Sequence, residues 1–367
     1  MAIEKIDGPR VAAGSLEPFV ASLLAAGGAD RPSAEAVARA VVDASSRGVD
    51  THGVRLVPWY VLAARGRHVK RKPKVAFTRK APSIGHVDAD LGFGHLASYR
   101  AIEEGCAMAA ETGIAAVSVG RSSHHGATGV YALAAARRGF ACLAMTHANA
   151  MVVPFSGEKA FFGTNPIAFA VPVKKGEPMV LDMATSTVPF NRVMLRRSTG
   201  KPLPAEVAVD KRGRMTTDPN EAVAVMPVGG SHFGYKGAGL AAMVDVLCAP
   251  FSGMRHGATL ESAVPGMQPI GIGHFFIVMQ PAAFQALSLF DRRLADFLAD
   301  LRSQKAKRGE RVLAPGDLEI EESRIRARLG IPVDRKTWAD FEQLAGELGC
   351  SLPEHISPPR RSGRKAK

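Results

Sequence analysis

The chain has 367 residues, 46% apolar and 22% charged, a composition that builds a substantial core and excludes a disordered or fibrous protein. Its net charge of +13 points to a polyanion partner until it is located: residues 64–80 carry eight Lys or Arg and residues 358–367 carry five, with no acid in either, and these thirteen are the whole excess. No apolar run approaches a membrane span, no basic-then-apolar leader opens the chain, and four scattered cysteines without a CxxC fit reduced thiols in a cytoplasmic protein.

In chain order, Ser15–Ala26 and Ser33–Arg47 read as helices, each opening at a Ser and followed by Gly. The second runs into Val49-Asp50-Thr51-His52-Gly53, so His52 falls on a turn just past a helix end. Val54–Ala64 is helical again. The basic segment 64–80 reads as a solvated loop, one able to attract an anionic substrate, because it lacks a nucleic-acid motif. Ser83–Val87 is a strand and Leu96–Glu111 a helix. Short apolar runs then recur at 114–119, 141–146, 167–172 and 178–183, divided by Gly and Pro, in a strand-rich middle that continues to about Met226. Lys236–Phe251 is a helix, Ile272–Met279 a strand, and Phe284–Lys305, Asp317–Leu329 and Thr337–Leu348 are helices. Helical ends around a sheet-rich middle predict an α/β protein of two domains. One is built by residues 1–113 with 283–357 and the other by 114–282, and the basic end 358–367 is expected to be disordered.

Gly92-Phe93-Gly94-His95-Leu96-Ala97 fits a dinucleotide GxGxxA after a strand and before a helix. The next strand ends in Gly120-Arg121 where an acid for the ribose belongs, and Asp88 and Asp90 stand where a pyrophosphate would be repelled. A turn and helix start is the preferred reading. The stretch Gly120–Tyr131 carries more chemistry: Ser122-Ser123-His124-His125-Gly126 lies between a strand and a helix, where glycines let a ligand approach the backbone. His52 and His124 are the candidate acid–base groups. Adjacent histidines point in different directions, so one of His124 and His125 is expected to serve a site. No supporting ligand set is present, so no metal is expected. Asp182, at a strand end, is placed to accept sugar hydroxyls or merely to cap a turn, and Lys236 to meet phosphate or merely solvent. Arg55, three residues after His52, is suited to a two-pronged contact with a carboxylate.

These segments, in this order, resemble the type-2 malate/L-lactate dehydrogenase family. The match spans roughly residues 10–348. Its motifs stand here as Arg47-Gly48-Val49-Asp50-Thr51-His52-Gly53, Ser122–Gly126, Gly163-Thr164-Asn165-Pro166, Asp182-Met183-Ala184-Thr185-Ser186, Asp210–Pro219, Lys236-Gly237 and Pro315–Glu319. The resemblance implies a non-Rossmann NAD(P)-binding sheet domain, 114–282, beside the helical domain of both termini, and a homodimer. It also implies hydride transfer between NAD or NADP and a small 2-oxo or 2-hydroxy acid, with reduction of a cyclic imino acid as the alternative.

By position, His52 with Thr51 would protonate the new C2 oxygen, with His124 as rival for the role. Arg55 and Arg47 would take the substrate. Ser122, His124, Gly126, Asn149, Thr164, Asn165, Asp182, Met183, Ala184, Lys236, Gly237, Gly316 and Asp317 would line the dinucleotide. Thr51 replaces the family's Ser, and Asn191-Arg192 stand where some imino-acid reductases carry an Asp, which argues against that activity. Nucleic acid is not the expected partner.

Overall fold

The computed structural model describes residues 6–260 and 270–356; the tail expected at 358–367 lies outside the described residues. The elements are β1 (Arg10–Val11), α1 (Ala13–Ala26), α2 (Arg31–Ser46), α3 (Val57–Arg65), β2 (Ala76–Ala81), β3 (Ile84–Asp88), α4 (Gly94–Thr112), β4 (Ile114–Ser122), α5 (Gly129–Ala136), β5 (Ala141–Thr146), β6 (Ile167–Val171), β7 (Met179–Met183), α6 (Phe190–Thr199), β8 (Ala208–Val209), β9 (Ala224–Val225), α7 (Gly230–Cys248), β10 (Ile272–Met279), α8 (Pro281–Phe284), α9 (Leu287–Ser303), α10 (Asp317–Leu329), β11 (Ile331–Pro332) and α11 (Arg335–Leu348).

Seven strands form one mixed sheet in the order β2-β3-β4-β10-β5-β6-β7. Only β3 and β4 run parallel; every other neighbour in it is antiparallel. The late strand β10 is inserted at the centre, and its sequence Ile-Gly-His-Phe-Phe-Ile-Val-Met is apolar but for His274 because both its faces are covered. Alternation divides its side chains. His274, Phe276 and Val278 face one way, and Phe276 and Val278 join the core under α4 and α5. Phe275 faces α7 with Met145, Val244 and Cys248. Phe276 is wholly buried, so truncation to Ala would cost about 3–5 kcal/mol.

The chain ends meet. β1 pairs with β11, and one apolar cluster joins Leu16, Leu23, Val41, Tyr60 and Phe93 to Ile331 and Phe341. The strands at 76–88, which fall on the terminal side of the boundary expected at 113, are bonded into the main sheet.

Several local expectations change. The last five residues of the basic segment, 76–80, lie in strand β2 at the sheet edge, where Arg79 and Lys80 blunt further pairing. The α2 helix is capped by Asp30, whose carboxylate accepts from Ser33 N at 3.1 Å, and Ser33 lies inside it. α1 starts after Ala12 with no side-chain cap. α6 occupies part of the middle expected to be strand-rich, and the long helix expected from Phe284 is broken at Gln285-Ala286 into α8 and α9.

Candidate active site

α2 ends at Ser46, capped by Arg47, and the chain tightens into a 3-10 turn, Asp50–His52. Buried Arg326 of α10 anchors this turn. It forks onto Asp50 at 2.5 and 2.8 Å, holds Glu322 at 2.6 Å and donates to Ser45 O at 2.6 Å. Beside it Thr51 Oγ1 lies 3.0 Å from His52 Nδ1. His52 is half-buried, and burial lowers its pKa.

The loop after β4 brings His124 to the same place. The two rings stack with centroids 5.9 Å apart. Gly126, at φ +76°, turns its N–H onto His124 Nδ1 at 3.3 Å. A backbone N–H only donates, so Nδ1 accepts and the neutral ring carries its proton on Nε2. The Tyr60 hydroxyl donates to the same Nδ1 at 2.8 Å. Burial, with a smaller push from His52, drives the His124 pKa down to about 3. His124 is therefore a fixed neutral donor.

The adjacent histidines part company. His125 turns into the core, bonded to Ser98 and Thr128 Oγ atoms at 3.0 Å each and stacked at 4.2 Å on His274. His274 is bonded to Thr146 and Ser122 Oγ atoms at 2.7 and 2.8 Å. Ser122 is thus engaged inside the protein. Fully buried His95 packs edge-on against Tyr60, and among the described residues both its ring nitrogens lack a hydrogen-bond partner.

A cleft of about 880 Å³ opens beside the histidine pair, a size suited to a nucleotide-sized ligand. Thr51 and Ala127 stand in its wall, with Arg47, Arg55, Asp182, Arg192 and Glu319. Asp182 Oδ2 accepts from Gly129 N at 2.9 Å, at the start of α5. Surrounding protein holds the Asp182 pKa up to about 6; the Gly129 bond opposes this and Glu319 adds to it. The carboxylate still meets solvent in the open cleft, which tempers the effect. Arg55 is exposed. Arg47 is only 5% exposed, and its Nη2 has no partner.

The other candidates divide. Asn149 Oδ1 is buried without a partner, as a ligand contact would leave it. Thr164 accepts Thr185 N and Oγ1 through its carbonyl, at 2.9 and 3.1 Å, tying its loop to the Met183-Ala184 strand end. Asn165 is wholly buried and satisfied: Oδ1 accepts from Ala148 N, and Nδ2 donates to Ala241 O and Asp245. Lys236 is exposed beside the Phe233 and Tyr235 rings, and Gly237 packs on Val228. None of these lines the cleft. Gly316, at φ +91°, seats α10 against Val180. Asp317 is held by Arg302 at 2.8 and 3.0 Å, which keeps its pKa low, and faces a separate cavity of about 480 Å³.

Arg121 lies against Asp88 and Asp90 at 3.2 and 3.3 Å, and a Cβ on Gly94 would strike Ser123 O. The GxGxxA glycine is therefore a packing contact. In the basic segment Arg65, Lys70 and Arg79 pair with Glu347, Asp90 and Glu111, while Arg71 donates to carbonyls. Among the described residues no three His, Cys, Asp or Glu side chains gather as a metal site, and no helix is long and apolar enough to cross a membrane.

Tyr60 was not singled out by sequence reasoning, and Arg192 and Glu319 entered it only as motif positions, not as cleft residues. Tyr60 carried a faint signal, since it is one of four tyrosines and lies eight residues after His52. Arg326, 276 residues from Asp50, carried none.

Two imidazoles thus stack beside a charged, nucleotide-sized cleft in a mixed α/β frame. The chain matches the malate/L-lactate dehydrogenase family over residues 11–342. It is 34% identical over 349 residues to the malate dehydrogenase of Pyrococcus horikoshii, covering 93% of this chain and 96% of that one. It is 36% identical over 271 residues to the (2R)-3-sulfolactate dehydrogenase (NADP(+)) of Chromohalobacter salexigens, covering 73% and 80%. It superposes on the malate dehydrogenase of Entamoeba histolytica with a TM-score of 0.89 at 25% identity, covering 95% and 100%. The chain belongs to the malate/L-lactate dehydrogenase family.

Proposed function

We propose that this protein transfers hydride between NAD or NADP and a small 2-hydroxy or 2-oxo acid. The observation that carries the reading is the stacked His52–His124 pair beside a cleft that also holds Arg55, Arg47 and Asp182. A bound nicotinamide supplies or takes the hydride; the residues of this chain handle the proton and the charges. His52 is the acid–base group. Its lowered pKa keeps it unprotonated at neutral pH, ready to accept the C2 hydroxyl proton during oxidation, and in reduction it returns that proton. His124, kept neutral with Nε2–H free, polarises the C2 oxygen without releasing its own proton. Arg55 holds the substrate carboxylate. Asp182 is suited to hydroxyls of the dinucleotide, and the orphaned Asn149 Oδ1 to a further polar contact.

The reading includes a dinucleotide domain that is not of Rossmann type, supported by a sheet with one parallel pair, and a helical domain of both termini, supported by their shared apolar cluster. A homodimer is part of it: α7 bares Phe233, Leu240, Met243 and Val246 on its surface. A cytoplasmic location fits four free cysteines.

The test is fluorescence titration with NADH and NADPH, then turnover on pyruvate, oxaloacetate and a cyclic 2-imino acid. Binding of one cofactor with turnover of an oxo acid is expected. Absent binding of both rejects the proposal, and turnover of the imino acid alone moves the chemistry to C=N.

A further inference from the structure

Buried arginines are ordinarily surrounded by acceptors, because an unpaired guanidinium out of water is costly and cannot shed its charge. Arg326 obeys this rule. Arg47 does not. It is 5% exposed, lines the cleft, its side chain forms no hydrogen bond or ion pair among the described residues, and its Nη2 is an orphan. The carboxylate that attracts it most, Asp43, is already held by Arg137 at 2.8 and 3.2 Å. Glu177 and Glu319 add only weaker attraction.

Its place along the cleft narrows the missing partner. The wall runs along α5 from Ala127 and Gly129 to Leu133. The histidine loop precedes the start of α5, whereas Arg137 caps its other end and Arg137 is among the charges around Arg47. Eight helical residues rise about 12 Å. A small 2-oxo acid reacting at His52 and His124 does not fill a cleft of about 880 Å³ that runs along this helix, and an extended dinucleotide does.

We propose that Arg47 is the anchor for a phosphate of the dinucleotide, not for the substrate acid; this rests on the dehydrogenase reading above. A planar guanidinium fork matches phosphate oxygens, and its desolvated setting strengthens the contact.

The experiment uses the full chain, as wild type, R47M and R47K. Each is titrated calorimetrically with ADP-ribose, which has the phosphates but no nicotinamide, and melted without ligand. R47M is expected to weaken ADP-ribose binding about 10- to 100-fold, R47K less. At saturating cofactor, the R47M KM for the oxo acid should stay within about twofold of wild type. The unliganded melting temperature of R47M should match or exceed that of wild type, because an uncompensated buried charge has been removed.

Unchanged ADP-ribose affinity overturns the proposal. So does a melting temperature lowered by about 4 °C or more, which makes Arg47 structural. A raised oxo-acid KM with intact ADP-ribose binding returns Arg47 to the substrate. If wild type binds neither ADP-ribose nor NAD(P)H, the dehydrogenase reading itself fails; if wild type binds and R47M is indistinguishable, only the assignment of Arg47 does.

Discussion

The molecule contains two stacked pairs of histidines, and they are built to opposite ends. In His125–His274 every ring nitrogen meets a hydroxyl, from Ser98 and Thr128 or from Thr146 and Ser122, and both rings are sealed from solvent. In His52–His124 the Nδ1 atoms are engaged by Thr51, Tyr60 and Gly126, while among the described residues no group bonds to the Nε2 atoms. The first pair is a polar staple between β10 and the histidine loop; the second retains capacity for a ligand. Two buried arginines repeat the contrast, Arg326 being fully partnered and Arg47 not. Residue type is shared across each comparison, and the two arginines share burial as well. Unused hydrogen-bonding capacity marks the functional member.

The largest expected effect tests the two histidine pairs directly. H52A and H124A should each lower kcat by about 10²- to 10⁴-fold with the melting curve near wild type. H125A and H274A should instead lose stability, on the order of 1–3 kcal/mol, as their hydroxyl partners are left buried. Steady-state kinetics beside thermal melts separates these outcomes, and the reverse pattern would exchange the roles of the pairs.

R326M comes next, with a loss of about 3–5 kcal/mol in denaturant unfolding, because half-buried Asp50 and Glu322 would lose the partner of their charge. A midpoint shift worth under about 1 kcal/mol would show that the turn carrying His52 is held by something else.

Acid should expose the staple pair. His95, His125 and His274 lie well below their usual pKa through burial, and His124 at about 3. Once unfolded, such rings protonate near pH 6.5, so below that pH the unfolded state binds more protons and stability falls toward the folded-state values. Asp182 acts oppositely: raised to about 6, it contributes stability below its unfolded pKa that is lost as pH rises through about 6. Four rings outweigh one solvent-exposed carboxylate. The melting temperature should drop between pH 7 and pH 4, and less steeply in H274N; a flat wild-type profile would contradict neutral burial.

Y60F is smaller, about tenfold in kcat/KM, since Gly126 alone would then hold the His124 tautomer. Nitrogen NMR of His124 reads that tautomer, and an unchanged rate and spectrum would remove Tyr60 from the site. R65A, which breaks a pair with Glu347 whose side chains are 43% and 40% exposed, should cost under about 1 kcal/mol.

By itself the sequence determined the local and the collinear. Apolar periodicity places most helices and strands, because amphipathic burial is written at fixed spacing. The collinear motifs identify the family and single out His52, His124 and Asp182. Tertiary structure alone decided which polar groups remain free. Whether Asn165 meets a ligand or Ala241, whether Asp317 faces the cleft or Arg302, and whether Arg121 awaits a phosphate or lies against Asp88 depends on contacts between distant segments. The same holds for the Asp50–Arg326 clamp and for β10 entering between β4 and β5. Such pairings carry no spacing along the chain, and only packing sets them.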